Sequence, residues 1–353
     1  MGFEQNTRRN VVVEGRNSSI ELLRLLCMIF IVAYHVMLKT PMWAEAKYRA
    51  VSLVFHVGVP VFILISGYFQ IRFNWKSLCR FVGMVVFYVL LLFGLNWYLG
   101  EPKGNLFYAL TPISHAGFWD LWFIPCYFFL YIISPFYNKF INAISNKELW
   151  ALVLAMGIIN YYFGWLFQAP GLYRGANLLN FLMIYTIGTM LHRYKEGFVK
   201  FKRRGVIIVC VLFNVIVWAG YSFLPWGREA WFRFFFNYDG PGTLLNSVLL
   251  FMVFAGFSFS NKTVNSVLKS SFAIYILHAN CIVVPLLTGF FYNQFYSRNT
   301  LATLASVLLF SVVVCLACLL VDLLLRKVHQ FLADNLLLRP VEGLASICER
   351  KPK

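Results

Sequence analysis

The stretch Asn17-Ser-Ser-Ile-Glu-Leu-Leu-Arg-Leu-Leu-Cys-Met-Ile-Phe-Ile-Val-Ala-Tyr-His-Val-Met-Leu38 decides the fold. It is long enough to span a bilayer as a helix, which takes about 20 apolar residues. It nevertheless contains Glu21, Arg24 and His35. Ionisable side chains at membrane depth are costly, so they usually face the interior of a helix bundle and often mark a site. The stretch therefore predicts a membrane helix with a polar line along one side.

Arg24 and His35 lie on nearly the same face of this helix, about 16 Å apart along its axis. Glu21 precedes Arg24 by one turn and is placed to pair with it. A histidine can act as a general base near neutral pH or can itself carry an acyl group, and the sequence leaves both open. Arginine stays charged and suits a fixed anion partner. The alternative is a structural Glu–Arg pair and a buried histidine.

The composition excludes an ordinary soluble protein. Of the 353 residues, 60% are hydrophobic and 13% are charged, against about 25% charged in soluble domains. The net charge of +17 sits mainly in short loops, as membrane topology requires, so it does not indicate nucleic-acid binding. Most cysteines lie in or beside apolar runs and are expected to act as small apolar residues rather than metal ligands. The chain has no P-loop and no zinc-protease motif.

Hydropathy predicts an all-α membrane protein with about ten transmembrane helices. Residues 1–17 would form a cytoplasmic tail, residues 18–325 the ten-helix membrane domain, and residues 326–353 a cytoplasmic tail that lies on the surface as an amphipathic helix. His329 is accordingly predicted at the surface. The predicted spans are residues 18–38, 51–71, 78–99, 119–138, 148–167, 176–192, 205–225, 242–260, 268–288 and 302–325.

Lys and Arg residues predict the orientation of these spans. The tails and alternate loops on one side carry 22 of them, the opposite side carries 8, and Arg24 lies within the membrane. Because positive charge accumulates on the cytoplasmic side, both termini are predicted to be cytoplasmic. Arg24 then lies near the cytoplasm, where three more basic residues follow the second span, whereas His35 lies toward the outside, where it approaches His56. The three basic residues are Arg72, Lys76 and Arg80.

Four stretches together resemble the integral-membrane acyltransferase family 3, which O-acylates bacterial cell-surface polysaccharides. The first runs from Ile20 through Arg24 to His35, with ten residues between the arginine and the histidine. The others are Val59-Pro-Val-Phe-Ile-Leu-Ile-Ser66-Gly67-Tyr68, Leu121-Trp122-Phe-Ile124, and Ser271-Phe-Ala-Ile-Tyr275-Ile-Leu-His278. They occur in the expected order over residues 18–280.

The resemblance implies a bacterial inner-membrane O-acyltransferase. Its acyl donor would be acetyl-CoA from the cytoplasm, its acceptor a hydroxyl of a surface or lipid-linked polysaccharide such as O-antigen, and no metal would be needed. By position in the motifs, the catalytic residues would be His35, Arg24 and Glu21. The donor would meet Arg72, Arg80, Lys76, Ser66, Gly67 and Tyr68, and the acceptor would meet His56, Asp120, Trp122, Tyr275 and His278.

Structural explanations compete with these roles. Ser66-Gly67 suits close helix packing, which small residues allow in membranes. Trp122 suits an interfacial aromatic belt, and the basic loop suits a topology signal. A transporter or flippase of a lipid-linked sugar is the main rival function, because intramembrane Arg and His also line transport pathways. A glycan polymerase or glycosyltransferase would want paired carboxylates, for which Asp120 and Asp239 are the weak candidates.

Overall fold

The computed structural model describes residues 17–100, 104–199, 203–224 and 227–343, and in these ranges it contains helices and no strand. Predicted residues 1–16 and 344–353 of the two tails lie outside the described residues. The all-helical prediction is confirmed.

The helices follow one another with short connections. They are α1 (Ser18–Leu38), α2 (Ala46–Phe55), α3 (Gly58–Phe69), α4 (Trp75–Tyr98), α5 (Leu106–Leu110), α6 (Phe123–Ala143), α7 (Asn146–Gly157), α8 (Leu178–Arg193), α9 (Lys195–Val199), α10 (Arg203–Phe223), α11 (Arg228–Phe236), α12 (Pro241–Ala255), α13 (Lys262–Val267), α14 (Ser271–His278), α15 (Val283–Phe295) and α16 (Thr300–Ala333). A π-helix, Ile158–Leu166, extends α7, and another, Asp334–Leu338, extends α16.

Asparagine side chains begin several of these helices. Asn17 accepts a hydrogen bond from the Ser19 N–H at the start of α1, and Asn74 accepts one from the Ser77 N–H at the start of α4. These caps satisfy backbone donors that have no partner inside the helix. The predicted first span, residues 18–38, therefore coincides with α1.

Within the described residues, six helices are long and apolar enough to cross a membrane, and three of these six consist of joined segments. A strongly bent pair makes up to seven. This confirms a multi-pass membrane protein. The count of ten and the cytoplasmic position of the termini stay predictions. The predicted spans 176–192 and 242–260 correspond to α8 and α12, which have 16 and 15 residues and are short for a bilayer.

Two of the spans are interrupted. Residues 56–57 separate α2 from α3, and residues 279–282 separate α14 from α15, where the chain bends by 86°. At the second break the Asn280 side chain donates to the Ile276 carbonyl at 2.9 Å and accepts from the Val283 N–H at 2.9 Å, so it serves both half-helices. Non-helical backbone at membrane depth is tolerated where it is buried in protein or lines a cavity. The first break contributes His56 to the cavity described below, and the second contributes Cys281 to a neighbouring pocket.

Helices α3 and α8 pack with their backbones in contact. A Cβ atom added to Gly67 would overlap the backbone carbonyl of Tyr185, and one added to Gly188 would lie 2.9 Å from the backbone nitrogen of Tyr68. Thr189 donates a hydrogen bond of 3.0 Å to the Gly67 carbonyl across this interface. Such contact through small residues is a main source of helix association in membranes. This is the packing role that the sequence offered as the alternative for Gly67.

The predicted surface position of His329 is wrong. Helix α16 continues beyond residue 325, and His329 is only 3% exposed. Its Nε2 lies 3.1 Å from the Asp322 carboxylate, which also accepts a hydrogen bond of 2.7 Å from the Tyr88 hydroxyl. Arg326 pairs with the same carboxylate at 3.1 Å. Ser270 donates to this carboxylate as well, so Asp322 has four hydrogen-bond partners. These partners offset the cost of burying its charge.

Candidate active site

A small cavity of about 30 Å³ lies beside the half of α1 that the charge bias predicts to be outside. Its walls come from α1, from the break between α2 and α3, from the loop before α6, from the loop before α12, and from α14. Five of the predicted site residues line this cavity together, although they are far apart in sequence. They are His35, His56, Asp120, Trp122 and Tyr275.

A chain of hydrogen bonds orients the imidazole of His35. His35 Nδ1 lies 3.3 Å from His278 Nε2, and His278 Nδ1 lies 2.6 Å from the Ile274 carbonyl oxygen. A carbonyl only accepts, so His278 Nδ1 must carry a proton and donate it. In the neutral form, His278 Nε2 is then an acceptor, and His35 Nδ1 must be the donor to it.

This chain leaves the lone pair of His35 on Nε2. That nitrogen has no hydrogen-bond partner among the described residues, and the ring lines the cavity. A bare Nε2 can take a proton from a hydroxyl that enters the cavity. The sequence grouped His278 with the acceptor-binding residues, whereas its position indicates that it fixes the tautomer of His35.

Aromatic rings enclose His56. Its ring stacks on Phe236 at a centroid distance of 4.2 Å and on Tyr238 at 4.2 Å, and Tyr34 meets it edge-on at 5.0 Å. The ring of Trp122 in turn contacts that of Tyr238, at a centroid distance of 5.0 Å. These contacts place Trp122 in the cavity wall rather than at an isolated belt position.

Tyr34, Phe236 and Tyr238 are cavity or wall residues that the sequence analysis did not single out. Phe236 and Tyr238 follow one another closely at the end of α11, in a loop rich in aromatic residues. The one sequence signal for them is that richness, which interfacial anchoring explains equally well.

Tyr275 and Asp120 are the other two predicted site residues in the cavity wall. The Tyr275 hydroxyl is buried and has no hydrogen-bond partner within the described part of the chain. Asp120 is exposed and has a φ of +58°, a left-handed conformation that is uncommon outside glycine. Such conformations are often kept at functional sites.

Glu21 and Arg24 form an ion pair on α1, as the spacing predicted. Glu21 is buried and Arg24 is partly exposed. Neither lines the cavity, whose wall ends toward Arg24 at Ile31 and Gly58. A Cβ atom at Gly58 would lie 2.7 Å from Ile31 Cγ1, so α1 and α3 are in close contact there. The structure therefore brings His35 together with the acceptor candidates and keeps the Glu21–Arg24 pair apart from them.

The predicted donor residues lie at the other end of α3. Arg72 and Lys76 are exposed. Arg80 pairs with Asp334 through two contacts of 2.8 and 2.6 Å. The Ser66 hydroxyl donates a hydrogen bond of 2.9 Å to the Phe62 carbonyl of its own helix. Tyr68 packs edge-on against His192 at 4.9 Å.

Asp239 lies behind the cavity wall, next to Tyr238, and is 1% exposed. Burial raises the pKa of its carboxyl to about 6. In an unfolded chain this pKa is about 3.9. The folded protein therefore binds the Asp239 proton more tightly than the unfolded chain does. This adds to the free energy of unfolding below about pH 4, and the contribution is lost as the pH rises through 6. The loss amounts to about 3 kcal/mol.

We expect Asp239→Asn to remove this loss. The midpoint of thermal unfolding in detergent should fall less between pH 4.5 and 7.5 in Asp239→Asn than in the wild type, because the amide cannot ionise. Glu229→Gln, which changes an exposed carboxylate on α11, is the matched control and should follow the wild type. Parallel curves for Asp239→Asn and the wild type would show that Asp239 does not ionise with a raised pKa.

A family model described as an acyltransferase domain, that of acyltransferase family 3, matches residues 17–322. The match includes α1, the cavity residues and most of α16. The chain therefore belongs to this family of membrane acyltransferases. A comparison with curated proteins gives no match, and a comparison with solved structures gives none.

Proposed function

We propose that this membrane acyltransferase moves an acetyl group from cytoplasmic acetyl-CoA to a hydroxyl of a cell-surface or lipid-linked polysaccharide, such as an O-antigen unit, at the bacterial inner membrane. The observation that carries the proposal is the bare Nε2 of His35, on a ring that His278 orients and that lines a cavity. A general base in this position is what acyl transfer to a sugar hydroxyl needs.

His35 acts as the general base. Its Nε2 takes the proton from the acceptor hydroxyl while the hydroxyl oxygen attacks the thioester carbonyl carbon. A C–O bond forms, the C–S bond breaks, and coenzyme A leaves as a thiolate. The imidazolium then returns its proton to the thiolate, so the products are an ester and free coenzyme A, and His35 is neutral again. His278 remains hydrogen-bonded to the Ile274 carbonyl and holds the His35 ring in its orientation.

Tyr275 is the candidate for stabilising the negative charge that develops on the thioester oxygen. Its hydroxyl is buried and free to donate, and its ring lines the same cavity as His35. A positioned donor at such an oxygen is worth about 10²–10³-fold in rate. His56 and Trp122 form the wall against which the acceptor sugar packs.

The donor enters from the cytoplasmic side. Arg72 and Lys76 are the exposed cations there, whereas Arg80 is engaged with Asp334. Arg and Lys pair readily with phosphates, and coenzyme A carries several. The acetyl-bearing arm then passes between α1 and α3 toward His35, past the Glu21–Arg24 pair. Because Gly58 closes that interface, delivery requires α1 and α3 to separate locally.

We expect Arg72→Glu to raise the KM for acetyl-CoA by about tenfold, the effect of losing one charge-assisted contact, and to leave the KM for the acceptor near the wild-type value. Steady-state transfer in proteoliposomes measures both constants. Lys147→Glu reverses another exposed charge, at the start of α7, and should change neither. A rise confined to the acceptor KM would place the donor elsewhere.

The function itself is tested with radiolabelled acetyl-CoA. Inverted membrane vesicles that contain the protein and its host polysaccharide are incubated with [¹⁴C]acetyl-CoA, and label is measured in the purified glycan. Label that depends on the protein and is released by mild alkali, as an ester would be, supports the proposal. Unlabelled glycan from vesicles that contain folded protein would contradict it.

A further inference from the structure

A second pocket, here called the vestibule, adjoins the cavity at the end of α1. It is an open pocket of about 310 Å³, and its lining residues include Lys39, Thr40, Asp120, Cys281, Thr288 and Tyr292. Asp120 lines both the vestibule and the cavity, so it marks the boundary between them. Lys39 follows His35 by one turn of helix, on the same face. The vestibule is thus next to the cavity that His35 lines.

We propose that the vestibule binds an acceptor sugar that carries an anionic group, a carboxylate or a phosphate, near the hydroxyl that is acylated, and that Lys39 pairs with this group. The proposal rests on the proposed function, and it adds the charge class of the acceptor.

Lys39 and Asp120 are the charged groups that the vestibule offers. Neither makes an ion pair with another described residue, whereas neighbouring Lys47 pairs with Glu45 at 2.8 Å. Two hydroxyls of the lining are already used within their own helices. Thr40 donates a hydrogen bond of 2.8 Å to the Val36 carbonyl, and Thr288 donates one of 2.9 Å to the Val284 carbonyl.

The two charges orient the ligand. The Asp120 carboxylate accepts hydrogen bonds from sugar hydroxyls and repels an anion, so the hydroxyl-bearing edge lies at Asp120, toward His35. The anionic group then lies at Lys39. The rest of the lining is largely apolar and includes Pro41, Pro285 and Tyr292, against which the C–H face of a sugar packs. The left-handed backbone of Asp120 is explained if its carboxylate is held at this boundary.

The test is direct binding to the full chain in nanodiscs by calorimetry. The probes are methyl β-D-glucuronide, the uncharged methyl β-D-glucoside, and methyl β-D-glucoside 6-phosphate. The wild type should bind at least one anionic probe at least tenfold more tightly than the uncharged one, and which anion binds distinguishes a sugar acid from a phosphate. Lys39→Gln should remove the preference and Lys39→Arg should retain it. Lys47→Gln, which lies outside the vestibule, should bind as the wild type does.

Equal affinity for charged and uncharged probes, no saturable binding, or an unchanged preference in Lys39→Gln would overturn the proposal. An affinity of Lys39 for lipid headgroups instead would appear as the second or third of these results. Because binding is measured without acetyl-CoA, the outcome is distinct from that of the transfer assay. Anion-selective binding without transfer would leave this site standing and remove the proposed function.

Discussion

His35→Gln should lower the rate of acetyl transfer by about 10²–10⁴-fold, the usual contribution of a general base. Glutamine preserves much of the shape of the side chain but has no nitrogen lone pair that can take a proton. The site around it, including His278 and the stack on His56, should stay in place, so the protein should reach the membrane at wild-type amounts. The measurement is transfer of label from [¹⁴C]acetyl-CoA to the polysaccharide, per mole of folded protein.

His115→Gln is the matched control for that variant. His115 is a histidine of the loop before α6 that contacts Thr111 and does not line the cavity. It should transfer acetyl groups at the wild-type rate. Wild-type transfer by His35→Gln, or an equal loss in both variants, would remove His35 as the base.

Gly67→Val should destabilise the folded protein by about 3 kcal/mol or more. The added side chain would meet the backbone of Tyr185, which cannot move unless α3 and α8 separate. Overpacking of a well-packed interior usually costs about 1–3 kcal/mol, and contact with backbone rather than a flexible side chain lies at the upper end. The thermal unfolding midpoint in detergent, followed by the loss of monodisperse protein on size exclusion, measures this effect.

Gly94→Val provides the comparison for Gly67→Val. Gly94 lies within α4, and a Cβ atom there would meet no atom within 4 Å. This variant should unfold close to the wild-type temperature. A Gly67→Val protein with a wild-type midpoint would show that α3 and α8 are not in backbone contact, and Gly67 would then be free for the donor role that the family resemblance implies.

The first helix and the approach of His35 to His56 follow from the sequence because each depends on a local pattern. An apolar run with an asparagine cap specifies α1, and two neighbouring spans that cross in opposite directions bring their histidines to one depth. The pairing of His35 with His278 required the path of the chain in space. These residues are 243 positions apart, and hydropathy does not specify which spans are neighbours.

Hydropathy also could not predict the breaks within the spans. Residues 279–282 are nearly as apolar as the half-helices they separate, and the bend depends on the hydrogen bonds of Asn280. The surface prediction for His329 failed because the charged end of α16 is buried. Asp322, Arg326 and His329 read as the polar end of a span, yet they satisfy one another inside the protein. Mutual hydrogen bonding of this kind removes the cost that a sequence reading assigns to each charge alone.

The position of the proton on His35 is the most direct test of the proposed mechanism. Solid-state ¹⁵N NMR of histidine-labelled protein in lipid, with His35→Gln and His278→Gln to assign the signals, reports which ring nitrogen is protonated. We expect a neutral His35 with the proton on Nδ1 and a bare Nε2, and a His278 with its proton on Nδ1. A His35 with its proton on Nε2 would contradict this mechanism, because the cavity would then face a donor instead of a base.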